Sequence, residues 1–274
     1  MALFYSIWLL FLARFCIAQS DESDEIDTVG LNAANEVYNE IFNVRGYNRF
    51  LSPIYTRKTN SSGGLKTAKL NIHFDLWYIK LISLDAQSQM LSICLELRTY
   101  WRDSRLAWNE SQFDGVEHIF VYSDAVWLPD NQIGNAKTID SVKPADAQRL
   151  VQIFSNGSIY YPGFYYTEVA CPIMISTFPF DKQICPIPIM SLAFDVNSVA
   201  LTASIDPFLT MYTKPEYINA VAREVSNNEY FAVLTKAFIE WGNGEWDVTN
   251  VSTFGTVQAG VQMVRFKSQL RKKT

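Results

Sequence analysis

The chain has 274 residues and four cysteines, with 23 Lys and Arg set against 28 Asp and Glu for a net charge of −5. That mildly acidic balance argues against a nucleic-acid partner, whose phosphates select basic surfaces, and two histidines are scant material for acid–base catalysis or a metal site. At 49% hydrophobic and 14% aromatic residues the chain can bury a sizeable core, as one large β domain or two smaller ones.

Ala2 to Ala13 is almost wholly apolar, and Cys16-Ile17-Ala18 offers small residues where a signal peptidase reads, so residues 1–18 are read as a signal peptide cleaved after Ala18. No Lys or Arg precedes the apolar run and Arg14 lies near its end, which leaves a membrane anchor as the alternative, although the run is short for a span. Residues 19–28 read as an acidic disordered segment and 29–274 as the folded domain. Asn35 to Phe42 places Val37, Tyr38, Ile41 and Phe42 at helical spacing, and Gly46 stops that helix. From Lys69 the period becomes two: Leu70, Ile72, Phe74 and Leu76 form one face, and Leu91, Ile93, Leu95 and Leu97 another. Val151 to Phe154 and Ser158 to Tyr161 flank Asn156-Gly157, a strong hairpin signal. The last strands read Tyr230 to Ile239 and Val261 to Leu270. A helix followed by many antiparallel strands predicts an all-β, immunoglobulin-like β-sandwich of about ten strands with an N-terminal α-helix.

Thirteen residues separate Cys171 from Cys185. Behind a secretion signal this pair reads as a disulfide, whose loop closure contributes roughly 3 kcal/mol. A zinc pair would want closer spacing and further ligands. With Cys16 removed, Cys94 is left as a free thiol in an alternating strand. Four N-x-S sequons, at Asn60, Asn109, Asn156 and Asn250, sit in polar or turn-like stretches suited to glycosylation in the secretory pathway. No G-x-S-x-G elbow, phosphate loop or metal cluster is present, so the sequence calls for no enzyme activity, no cofactor and no metal.

These residues together resemble the extracellular ligand-binding domain of the Cys-loop pentameric ligand-gated ion channels. The resemblance rests on the cysteine pair with Phe178-Pro179-Phe180-Asp181 and on Trp101-x-Asp103-x-x-Leu106-x-Trp108. It rests also on Trp127-Leu128-Pro129-Asp130 with Asn135, on Tyr47-Asn48 through Pro53, on Gly244-Glu245-Trp246-Asp247, and on the basic run at 271–274. Trp101, Trp108 and Trp127 read as packing residues, and Asp130 and Asp181 as carboxylates that hold loop shape. The resemblance implies that Phe178, Pro179, Phe180 and Asp181 form a loop that couples ligand occupancy to a channel. It also implies a small transmitter-like ligand, a homo- or hetero-pentamer with related subunits, and an extracellular location with the membrane reached only through pore helices.

In the nicotinic branch a box of aromatic faces receives a cationic amine. This chain departs from that box: Gly134 and Leu192 stand where the resemblance implies aromatics, and Glu96 replaces the aromatic of the complementary strand. Phe254 is the only aromatic residue at the tip between the last two strands, and Phe194 lies two beyond Leu192. The most the sequence permits is a site of Phe194, Phe254, Tyr160, Glu96 and Leu192. The expected function is therefore the ligand-binding domain of a nicotinic-like channel subunit, truncated before its pore helices and with a degenerate aromatic box. The alternative is a secreted, soluble transmitter-binding protein without channel activity.

Overall fold

The computed structural model describes residues 28–55, 57–59, 65–67, 69–141, 149–174, 182–206, 242–258 and 261–272. The signal peptide, the acidic segment to residue 27, Asn60, Phe178 to Asp181 and the strand expected over Tyr230 to Ile239 lie outside them. Helix α1 (Val29–Tyr38) begins earlier than the apolar spacing predicts and runs on as a π-helical turn over Asn39–Val44. Its buried stripe is Ala33, Val37 and Ile41, at the spacing that a core-facing helix needs. Gly46, at φ +62, ends it as expected.

The strands are β1 (Arg57–Thr59), β2 (Leu65–Thr67), β3 (Leu70–Asp85), β4 (Met90–Arg102), β5 (His118–Tyr122), β6 (Asn131–Ile133) and β7 (Ala136–Ser141). They continue with β8 (Leu150–Phe154), β9 (Ser158–Ala170), β10 (Lys182–Ser191), β11 (Val199–Ile205), β12 (Trp246–Gln258) and β13 (Val261–Lys272). Among the described residues ten of these are five residues or longer, which matches the expected number. β1 and β2 pair as a small two-stranded sheet; of the two large sheets, one runs β11-β3-β4-β9-β8-β5 with β7 also paired to β9, and the other runs β12-β13-β10-β6. The inward faces are the alternating sets read from sequence, with Ile72, Phe74, Leu76, Leu91, Ile93 and Leu95 no more than 2% exposed. One pairing departs from the antiparallel expectation: β11 lies parallel to β3. It follows β10 of the other sheet and returns along the edge, where no hairpin dictates its direction.

Between β8 and β9 the chain turns at Ser155-Asn156-Gly157, with Gly157 at φ +80 and its N–H donated to the Phe154 carbonyl at 2.8 Å. A side chain at 157 would collide with the Asp103 carbonyl, so the glycine is required by a close approach as well as by its φ. Asp103, at the same end, is fully buried. Its carboxylate accepts from the Arg105 guanidinium at 2.6 Å, the Arg105 backbone N–H at 3.1 Å and the Tyr47 hydroxyl at 3.0 Å. The Tyr47 oxygen in turn accepts from the Trp127 N–H at 3.1 Å, and Arg105 stacks 4.8 Å from the Tyr47 ring centroid. Burial and the adjacent carboxylate push the Tyr47 phenol well above its ordinary range, so it stays a donor to Asp103 at any physiological pH.

At the opposite end Cys171 and Cys185 are joined, as expected, with their Cα atoms 4.8 Å apart and both residues fully buried. The bond staples the end of β9 to β10 and hence one sheet to the other. Asn135 reinforces that staple: its Nδ2 donates to the carbonyls of Ala170 and Pro186, each at 2.9 Å, the residues flanking the two cysteines.

Removing a buried charge partner from such a node typically costs about 3 kcal/mol. Asp103→Asn should therefore lower the unfolding free energy by about that much in urea denaturation, and Asp103→Leu combined with Arg105→Met should recover most of the loss.

Candidate ligand-binding site

The sequence-predicted site residues fall into two groups on different sheets. Phe194 and Leu192 lie in the connection from β10 to β11, and Phe254 lies on β12 of the four-stranded sheet. Glu96 and Tyr160 lie on β4 and β9 of the seven-stranded sheet. Within one chain the fold does not gather them into one pocket.

Asp130 shapes the first group. Its Oδ1 accepts from the Ser191 hydroxyl at 2.6 Å, and its Oδ2 accepts from the Leu192 and Ala193 N–H groups at 3.1 and 2.7 Å. The Ser191 oxygen also accepts from the Phe194 N–H at 3.2 Å. This is the loop-holding role read from its position after Pro129. The clamp leaves Leu192 64% exposed and turns the Phe194 ring edge-on to Trp127, with centroids 6.2 Å apart. Trp101 and Trp108 are buried and Trp127 packs against the core, as expected of packing residues. At Gly134 the place of a side chain is filled by the Met190 thioether. An aromatic residue could not stand at 134 unless Met190 moved aside.

Phe254 requires a correction. It is not at a tip: β12 runs unbroken to Gln258, and Phe254 pairs with Arg265 in mid-strand. A register shift between Val248 and Asn250, invisible to simple alternation, puts Phe254 beside the basic residues of β13. The Lys267 ammonium lies 4.2 Å from its ring centroid and the Arg265 guanidinium 5.8 Å. Phe254 thus stacks with the chain's own cations.

The second group shows the same pattern. Glu96 faces Tyr78 on β3 and Phe164 on β9, two rings that stack at 5.7 Å. Arg98, two residues along the same face, donates to the Glu96 carboxylate at 3.4 Å and lies 4.3 Å from the Trp77 ring centroid. Burial pushes the Glu96 carboxyl above its ordinary range, and Arg98 offsets only part of that. One step along, Tyr160 packs on Tyr100 at 5.2 Å, and Tyr100 neighbours His73 at 6.1 Å. The imidazole bonds Thr202 Oγ1 at 2.8 Å and Ser204 Oγ at 2.9 Å, and Ser204 donates to Asp75 at 2.8 Å. This polar and aromatic face was only partly visible in the sequence. Alternation gives the outward set on each strand, but which residues meet depends on cross-strand register.

At the base of the cysteine loop Gln183 is buried and bonds both the N–H and the carbonyl of Met174, at 2.8 and 2.9 Å. Ile173 packs on the core and Met174 is 53% exposed, so the loop's first apolar residues divide between the sandwich and the surface.

Two packed sheets, an N-terminal helix and a disulfide that joins β9 to β10 define an all-β sandwich domain. The sequence pattern of the neurotransmitter-gated ion-channel ligand binding domain matches residues 34–271, and the chain belongs to that family. It is 30% identical over 182 residues to the bovine neuronal acetylcholine receptor subunit beta-4, covering 65% of this chain and 34% of that protein. It is 24% identical over 254 residues to the Drosophila melanogaster acetylcholine receptor subunit beta-like 1, covering 92% and 39%. It is 27% identical over 165 residues to the Caenorhabditis elegans proton-gated ion channel subunit pbo-6, covering 59% and 38%. The chain thus spans between a third and two fifths of the length of these relatives. Among the described residues no helix is long and apolar enough to cross a membrane.

Because the folded pKa of Glu96 is raised, its favourable contribution is complete below the unfolded carboxyl value and is lost as pH rises through the folded one. Glu96→Gln should therefore gain stability relative to the unaltered chain as pH rises above the unfolded carboxyl value, as read by thermal melts at a series of pH values.

Proposed function

We propose that the chain acts as the extracellular ligand-binding domain of a neurotransmitter-gated channel subunit, assembled with related subunits in a pentamer and lacking an intact receptor for quaternary amines. The family match supports the first part of that reading. The observation that carries the second is the Lys267 ammonium 4.2 Å from the Phe254 centroid. A ligand ammonium would have to displace this tethered cation from the ring. Glu96 is engaged in the same way by Arg98. Tyr160 on the seven-stranded sheet is the aromatic best placed for the complementary side of a site completed by a neighbouring subunit. The loop from Cys171 to Cys185, with Phe178, Pro179, Phe180 and Asp181, is proposed as the element that faces the channel. No catalytic role is proposed.

The relatives' names include acetylcholine receptors and a proton-gated channel, so the ligand class is left at small transmitter-like effectors. Passage through the secretory pathway fits the sequons. Asn109 accepts from the Ser111 N–H at 3.2 Å and Asn156 from the Ser158 N–H at 2.8 Å, and both residues are exposed. Each turn holds the carboxamide beside the serine of its own sequon, an arrangement suited to glycan attachment.

Equilibrium binding of a radiolabelled quaternary-ammonium nicotinic ligand should show no displaceable component at micromolar concentration, and tight saturable binding that Phe254→Ala leaves unchanged would contradict this reading. Peptide mapping of the protein secreted from animal cells should find glycans at Asn109 and Asn156. Native mass spectrometry of the same material should give the mass of five protomers.

A further inference from the structure

The hairpin between β8 and β9 reads Phe154-Ser155-Asn156-Gly157-Ser158, a sequon with an aromatic residue two positions before its asparagine. Gly157 at φ +80 and its N–H bond to the Phe154 carbonyl at 2.8 Å make this a tight three-residue loop with the glycine in the left-handed region. Alternation sets the faces at its two ends: Val151, Ile153 and Ile159 are buried, so Phe154 and Ser158 stand on the outward face. Phe154 is half-buried there, with the exposed His118 ring 6.0 Å away and tilted by 50°. Asn156 is exposed, and its Oδ1 accepts from the Ser158 N–H at 2.8 Å. The loop is held from three further directions. The Ser155 N–H donates to the Glu117 carbonyl at 2.8 Å, the Ser155 carbonyl accepts from the Trp108 N–H at 2.9 Å, and the Asn156 carbonyl accepts from Arg102 Nε at 3.0 Å.

From this arrangement we infer that Phe154 receives the first sugar of a glycan on Asn156, so that the modification stabilises the hairpin as well as coating it. The inference rests on the proposed glycosylation of Asn156. The Cα atoms of Phe154 and Asn156 can be no more than about 7 Å apart, so the sugar reaches the ring without any rearrangement of the chain. A pyranose presents C–H groups on its faces, and the negative face of an aromatic ring attracts them. The contact covers apolar ring surface that is otherwise in water. Because the loop is already fixed by its own hydrogen bonds, little conformational freedom is lost when the sugar settles. Asn109, the other exposed sequon, supplies the control: two positions before it stands Ala107, which offers no ring.

The test uses the full chain secreted from animal cells, with its glycans trimmed enzymatically to the first sugar and Asn156 occupancy read by peptide mapping. Ser158→Ala removes the sequon while keeping Asn156 and the backbone N–H that it bonds. In urea denaturation this substitution should shift the equilibrium roughly tenfold toward the unfolded state, as expected for uncovering on the order of 50 Å² of ring surface. In a Phe154→Leu background the same substitution should have an effect at least several-fold smaller. Ser111→Ala, which removes the sugar from Asn109, should act equally in both backgrounds. A Ser158→Ala effect that is equal in both backgrounds overturns the inference and leaves the glycosylation reading intact, whereas an unmodified Asn156 overturns both. Should Phe154→Leu fail to be secreted, the proton spectrum of the sugar on the unaltered chain decides alone: upfield ring-current shifts at its C–H protons support the contact, and free-sugar shifts overturn it.

Discussion

The carboxylate of Asp103 is fully buried, and the top of the molecule is organised around it. A charge out of water is tolerated only when paired and hydrogen-bonded, so Arg105 and Tyr47 must be delivered to it in fixed positions. Tyr47 follows the N-terminal helix, Asp103 directly follows β4, and the Trp127 N–H donates to the Tyr47 oxygen. One charge thereby sets the helix, the long strand pair and the loop leading to Asp130. Twelve residue steps along β4, about 40 Å at the usual strand rise, the disulfide with Asn135 fixes the other end of the sandwich. The faces between these two anchors have little freedom to rearrange.

That rigidity gives the occupied aromatic faces their meaning. Phe254 carries Lys267 and Arg265, and Trp77 carries Arg98, which also holds Glu96. Cation–π attraction at a half-exposed site is worth about 0.5–1 kcal/mol, a modest sum for each contact. An intramolecular cation, however, is present at high effective concentration because the strand register holds it there. A soluble amine must overcome that advantage at each ring. The fold thus keeps the architecture of a ligand-binding domain while its own basic side chains stack on Phe254 and Trp77.

Much of the fold was legible in the sequence because it follows from short-range rules. Period-two alternation gave the buried faces of β3 and β4, the glycine at 157 gave the hairpin, and the cysteine spacing gave the staple. The role of Asp130 was readable from its place after a proline. What escaped depends on longer-range geometry. The parallel course of β11 depends on a crossing between sheets, and the mid-strand setting of Phe254 on a register shift. Met190 fills the space beside Gly134 because β10 and β6 meet there. The stacking of Lys267 and Arg98 on rings depends on which outward residues face each other across strands, and single-sequence alternation carries no such register.

The contact between Phe254 and Lys267 is the centre of this account, and a double-mutant cycle measures it directly. With Phe254→Leu and Lys267→Met combined, unfolding free energies should give a coupling of about 0.5–1 kcal/mol. That coupling should remain when the cycle is repeated at high salt, because the two groups are in contact. A coupling of zero would contradict the account, since it would leave the Phe254 ring open to a ligand cation.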